Sequence, residues 1–136
     1  MPVSHTTDTE RNFVHTIFLG ELDDDAVRER ARKLRADPRF NDQMPELVDL
    51  SGVTGVSLTA EMMRVSARSL LHSSGVPCAI VAPDDRVFDF ARAYQVLRER
   101  NNIMGLRVFR DTPAALDFLL DAGAIVEGQA PDGQAA

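Results

Sequence analysis

Seven side chains able to donate, accept or carry charge fall in two short stretches: Asp49, Ser51, Thr54, Ser57 and Thr59 in one, Asp84 and Asp85 in the other. Hydroxyls and carboxylates in this mixture, with no lysine, histidine or cysteine among them, suit hydrogen bonding to a partner better than nucleophilic or metal chemistry. The chemistry-bearing residues elsewhere do not change that reading. His5, His15 and His72 show no metal-ligand spacing, and His15 sits inside an apolar run as a structural residue would. Cys78 opens an apolar run at the end opposite the helix N-termini that would lower a thiol pKa. The only lysine, Lys33, is remote from any acceptor carboxylate, which disfavours a phosphoaspartate receiver. There is no G-x-G-x-x-G, Walker loop or G-x-S-x-G, and Gly52-Val-Thr-Gly55 is too short to mark a phosphate site. The sequence therefore predicts no catalytic residue, no metal and no cofactor.

The elements that must position the polar residues follow from periodicity and punctuation. Leu47, Val48 and Leu50 form an apolar run too brief for a helix, giving a strand over 46–50; the polar, glycine-bearing segment after it reads as a loop. Thr59 is a good N-cap for a helix from Ala60 to His72, with Met63, Ala67, Leu70 and Leu71 on one face, closed by Ser74-Gly75. The β-branched and aromatic run 13–19, the apolar run 78–82 and the segment Leu106-Arg-Val-Phe109 give three more strands. Asp23 to Asp25 lead into a helix with Val27, Ala31 and Leu34 inward. Its Arg28, Arg30, Arg32, Lys33 and Arg35 read as a solvated, charge-balanced face, with Asp24–Arg28 and Glu29–Lys33 as i, i+4 pairs. Pro83-Asp84-Asp85 caps a helix with Val87, Phe90, Ala91, Tyr94 and Leu97 inward, and Thr112 as N-cap with Pro113 at the first helical position starts a last one stopped by Gly123. Four strand–helix units predict an α/β fold: a mostly parallel sheet covered by helices. The seven polar residues then lie where strand ends meet helix N-termini, a place of partial positive potential.

The order of these pieces carries a resemblance. Asp49-Leu-Ser-Gly-Val-Thr54 before a helix start, the run CAIVAPDD at 78–85, VFDFARAY at 87–94 and LRVFRDTPAALDFL at 106–119 together resemble small bacterial SpoIIAA-like proteins of the STAS/SEC14 type, over about residues 13–120. The resemblance implies a four-turn βα fold and a non-enzymatic regulatory module working through a protein partner, such as an anti-sigma factor or a kinase-like regulator. Laid along this chain, the acidic residue of the antagonist motif falls at Ser57, its phosphoacceptor serine at Leu58 and the neighbouring serine at Thr59. Leu58 cannot accept phosphate, so Ser57 and Thr59 are the candidate phosphoacceptors, and Thr59 also reads as a plain cap. An alternative of another class is a small-molecule or lipid-binding module with an apolar pocket between sheet and helices, lined by Met62, Met63, Phe88, Phe90 or Tyr94.

Composition sets the outer bounds. With 136 residues, 44% of them hydrophobic, and a net charge of -6, one domain with a real core is expected, without a nucleic-acid surface. No stretch is apolar enough to span a bilayer, the N-terminus has no apolar signal region, and the single cysteine fits a cytoplasmic setting. A flexible tail or a short edge addition at 1–11, one domain over 12–123 and a disordered tail at 124–136 are the expected divisions. Arg64, Arg68 and His72, four apart, would form a positive row on the second helix, and a homodimer is compatible with these features.

Overall fold

Apolar four-residue runs have nowhere to go but a sheet interior, and the computed structural model, which describes residues 3–123, places them there. The elements are β1 (Val3–Asp8), β2 (Phe13–Leu22), α1 (Asp24–Ala36), β3 (Glu46–Val56), α2 (Ala60–Ala67), β4 (Cys78–Val81), α3 (Asp85–Arg100), β5 (Leu106–Phe109) and α4 (Thr112–Asp121). One five-stranded sheet holds them in the order β1-β2-β3-β4-β5. β1 is antiparallel to β2; the other neighbours are parallel. The predicted mostly parallel α/β fold is thus the observed one.

The crossovers β2-α1-β3, β3-α2-β4 and β4-α3-β5 all step the same way across the sheet, so a common hand puts their helices on one face. Strand alternation divides the core accordingly. Val48, Leu50 and Ile80 face α1 and α3, meeting Ala26, Val87 and Ala91. Leu47, Ala79 and Val81 face the other way, where α4 covers them with Ala115 and Leu119. The chain reaches that face because α4 follows the last strand and has no partner strand to return to.

Four expectations need correction. The first residues are no loose tail: Val3–Asp8 is an edge strand whose Val3 is 2% exposed. It is fastened by Asp37, whose carboxylate accepts from His5 Nε2 at 2.9 Å and Thr7 Oγ1 at 2.6 Å. The connection to β2 passes Asn12 at φ 59°, a conformation asparagine tolerates. Second, β3 does not stop at Leu50 but runs to Val56, so Ser51 and Thr54 belong to a strand and not a loop. Its glycines mark crowding: a Cβ at Gly52 would lie 2.5 Å from Leu19 Cδ2, and one at Gly55 2.7 Å from Glu21 Oε1. Third, α2 ends at Ala67, because Leu71 and His72 turn inward, Leu71 to pack near Leu34 and Met44. Fourth, the cap of α4 is Asp111, one residue before Thr112. The expected tail at 124–136 lies outside the described residues.

Candidate functional site

Helix α1 buries one stripe against the sheet, and Ala26, Arg30 and Leu34, four apart, lie along it. Arg30 therefore points inward. β3 begins with Glu46 on the same face as Val48 and Leu50, and β2 supplies Thr16 beside it. Glu46 and Thr16 are both 0% exposed. The Glu46 carboxylate accepts from Thr16 Oγ1 at 2.6 Å, from Arg30 Nε at 3.0 Å, from Arg30 Nη2 and from His72 Nε2 at 2.8 Å. All of its acceptor capacity is used, as a buried charge requires. Burial by itself would push the Glu46 carboxyl up; the Arg30 charge and the hydrogen bonds from His72 and Arg30 override it and hold the group well below the usual range. Burial likewise opposes the Arg30 charge, and Glu46 more than restores it, so Arg30 stays cationic. With Glu46 ionised, His72 Nε2 donates to it, while Nδ1 is buried without a partner among the described residues. The Phe40 ring packs against the imidazole in a T-shaped arrangement, at 5.3 Å between centroids.

Above this cluster, between the sheet and α1, α2 and α3, lies a cavity of about 770 Å³. Its apolar walls include Leu58, Met62, Met63, Phe90 and Tyr94, and its floor includes Glu46 and His72. Short α2 leans on α3 rather than on the sheet, so the methionines that would fill a core line space instead. The fastening is polar: Tyr94 Oη lies 3.0 Å from Ser66 Oγ, and Arg98 Nη1 donates to the Ser69 carbonyl at 2.9 Å. Phe88, expected beside the methionines, is not in the cavity wall; it sits under Arg110, whose guanidinium carbon is 4.1 Å from its ring centroid. Cys78 lines the cavity, and burial pushes its thiol up to about 12, so it is no nucleophile at neutral pH.

The seven residues singled out from sequence lie elsewhere, and none lines the cavity. Asp49 accepts from Ser51 N at 2.9 Å, closing a local turn of hydrogen bonds on the strand. Thr54 and Asp84 line a small pocket of about 300 Å³ with Glu21 and Arg86. Asp84 caps α3, accepting from Arg86 N and Val87 N, and exposed Asp85 pairs with Arg110. Ser57 is exposed, its N–H donating to the Leu22 carbonyl at 2.9 Å. Thr59 caps α2 as expected, and its N–H and Oγ1 both donate to Asp24, at 2.9 and 2.8 Å. That backbone bond is the main reason the Asp24 carboxyl sits below its ordinary range. Asp24 is thus turned to Thr59 rather than Arg28, which pairs with Asp25. The expected row of Arg64, Arg68 and His72 does not form, since His72 is 4% exposed and bound to Glu46.

Among the described residues there is no cluster of metal-ligating side chains, and no helix long and apolar enough to cross a membrane. A scan of family models and a search of curated proteins find no match. Among solved structures, the chain is similar to the crystal structure of an uncharacterised protein of the DUF3478 family with a SpoIIAA-like fold, from Shewanella loihica PV-4. The TM-score is 0.57 at 15% identity, over 86% of this chain and 91% of that one. The likeness establishes a SpoIIAA-like fold and carries no activity with it.

Proposed function

We propose that this SpoIIAA-like domain is a non-enzymatic binding module that holds one small, largely apolar molecule in the cavity between its sheet and α1–α3. The cavity itself carries the reading. The space is open to solvent, so its apolar walls at Leu58, Met62, Met63 and Phe90 stand against water, at about 25 cal/mol for each Å² of apolar surface, until a molecule covers them. Its volume of about 770 Å³ is that of pockets for drug-sized ligands. Against catalysis stand the saturated Glu46 carboxylate and the protonated Cys78 thiol.

N-phenyl-1-naphthylamine, a neutral apolar fluorophore, should bind the purified protein with one-to-one stoichiometry and a large gain in emission. Met63→Trp should fill the space and abolish that gain while leaving the thermal unfolding transition cooperative. A wild-type protein that leaves the probe in water at micromolar concentrations would sink the proposal.

A second reading assigns protein-partner binding to the face of Asp49, Ser51, Thr54, Ser57, Thr59, Asp84 and Asp85. One observation favours it: the β3 segment Leu50–Val56 extends past the end of β4 and has no strand on that side. An unpaired edge of this kind can accept a partner strand, with an anti-sigma factor or kinase-like regulator as the partner class. Amide exchange within Leu50–Val56 should slow when such a partner is added, and unchanged exchange in a demonstrated complex would remove this face from consideration.

A further inference from the structure

We propose, resting on the cavity reading above, that the ligand is an amphiphilic anion: an apolar chain lies against Met62, Met63 and Phe90 while a carboxylate or phosphate group meets an arginine collar at the mouth. The chain as a whole carries a net charge of -6, yet five arginines, 28, 30, 32, 35 and 98, line this space against a single acid, Glu46. Arg30 and Glu46 neutralise each other. Of the other four, Arg28 and Arg32 pair with acids of their own helix, while Arg35 and Arg98 have no carboxylate partner among the described residues and border a largely apolar hole in an acidic protein.

The geometry of α1 explains how they come to be there. Val27 and Ala31 form its cavity wall, and Arg28, Arg32 and Arg35, at i, i+4 and i+7, form the adjacent stripe one step towards solvent. A ligand lying along α1 thus passes from apolar to basic surroundings. The ion pairs present quench this field only in part. Arg28–Asp25 is an exposed i, i+3 pair of the kind that contributes little and exchanges readily, whereas Glu29, 19% exposed, holds Arg32 through two hydrogen bonds and largely neutralises it. Arg35 and Arg98 pair with no carboxylate among the described residues; Arg98 is positioned by the Ser66 and Ser69 carbonyls, at 3.3 and 2.9 Å. An arginine fork held by neutral acceptors keeps N–H groups for a planar or tetrahedral anion. A cationic amphiphile would meet repulsion, and a neutral one would leave the collar unused.

The test uses displacement of N-phenyl-1-naphthylamine from the full-length protein by four compounds with the same twelve-carbon chain, each below its micelle concentration: dodecanoate, dodecyl phosphate, dodecanol and dodecyltrimethylammonium. The anions should displace the probe at concentrations about tenfold or more below dodecanol, with the ammonium weakest and the anion advantage shrinking as salt is raised. Whichever anion leads identifies the headgroup as carboxylate or phosphate. The triple variant Arg28→Gln, Arg32→Gln, Arg35→Gln keeps good helix formers on α1 and should bind the probe and dodecanol as before while losing the anion advantage. Equal displacement by dodecanol and the anions overturns the inference and leaves the cavity reading standing. An anion advantage that survives the triple variant overturns the collar assignment, and absence of probe binding to wild type overturns both readings together.

Discussion

Glu46→Gln should be among the most damaging single substitutions in this chain, and its cost follows from the surroundings of one carboxylate. Glutamine keeps the volume of the side chain but replaces one acceptor oxygen by an NH₂ donor. The four bonds at this site come from Thr16, twice from Arg30, and from His72; Arg30, which can only donate, reaches both oxygens, so the new NH₂ opposes one of its N–H groups whichever way the amide turns. Arg30, whose side chain is 19% exposed, would also be left as a cation beside an uncharged group. Breaking a buried pair in this way costs about 3–5 kcal/mol, against about 5–15 kcal/mol of total stability for a domain. Urea unfolding followed by far-ultraviolet circular dichroism, at neutral pH and with unchanged m-value, measures it. The pH profile supplies an independent check. Because the Glu46 carboxyl is depressed when folded, its contribution is complete above the ordinary value of 4.5 and is lost as pH falls towards the folded value. Wild type should therefore lose stability below about pH 4.5 more steeply than the Glu46→Gln variant. A variant within about 1 kcal/mol of wild type at pH 7, with the same acid slope, would refute the reasoning that this ion cluster anchors α1 to the sheet.

Two further comparisons probe backbone and cap. Gly105→Ala should cost at least about 2 kcal/mol, since residue 105 sits at φ +109° and a Cβ there would lie 2.4 Å from the Val76 carbonyl oxygen, whereas Gly52→Ala meets only the movable end of exposed Leu19 and should change stability by about 0.5 kcal/mol or less; thermal melts of the two variants give the contrast directly. Thr59→Glu should destabilise by about 1–2 kcal/mol, because it removes the cap on Met62 N and brings a carboxylate against Asp24, while Ser57→Glu, on an exposed side chain, should leave the melting temperature nearly unchanged. Equal melts for this second pair would show that Asp24 does not sense the charge at position 59, and would restore Thr59 as a site for phosphate without loss of fold.

The parallel core was legible because a strand buried on both faces is written as an unbroken apolar run, as at 78–81, while the short run 106–109, broken by exposed Arg107, was readable from Gly105 before it and the helix start after it. Helix starts were legible wherever a capping side chain precedes the apolar stripe, as at Thr59 and Asp84. β1 was hidden because an edge strand made largely of hydroxyls and a histidine has no apolar signal; what fastens it, Asp37, lies at the end of α1. The second half of β3 was hidden because Gly52 and Gly55 mimic loop punctuation, although both pair in register with β2, opposite Leu19 and Glu21. The ion cluster escaped for a different reason. Arginines on a helix rich in acids belong on the surface by default, and only the register of α1 against β3 aims Arg30 at Glu46. The one local trace was Arg30 four residues from Ala26 and from Leu34, both buried. For the cavity, Met62, Met63, Phe90 and Tyr94 were readable as inward-facing, but a spacing along a helix does not tell a filled core from a hollow one.

The way α2 is fastened bears on how quickly the cavity could change its contents. Its N-terminal end is tied by Thr59 to Asp24, and its C-terminal end through Ser66 to Tyr94 and Arg98. Between these two ties its side chains border a space instead of interlocking with the sheet. Releasing either end therefore exposes little packed apolar surface, and the barrier to opening is that of a few partly solvated hydrogen bonds rather than that of unfolding the domain. Residence time would then be set by segment motion in the microsecond to millisecond range, uncoupled from the slow unfolding that the interlocked α1, sheet and α4 impose on the rest of the chain.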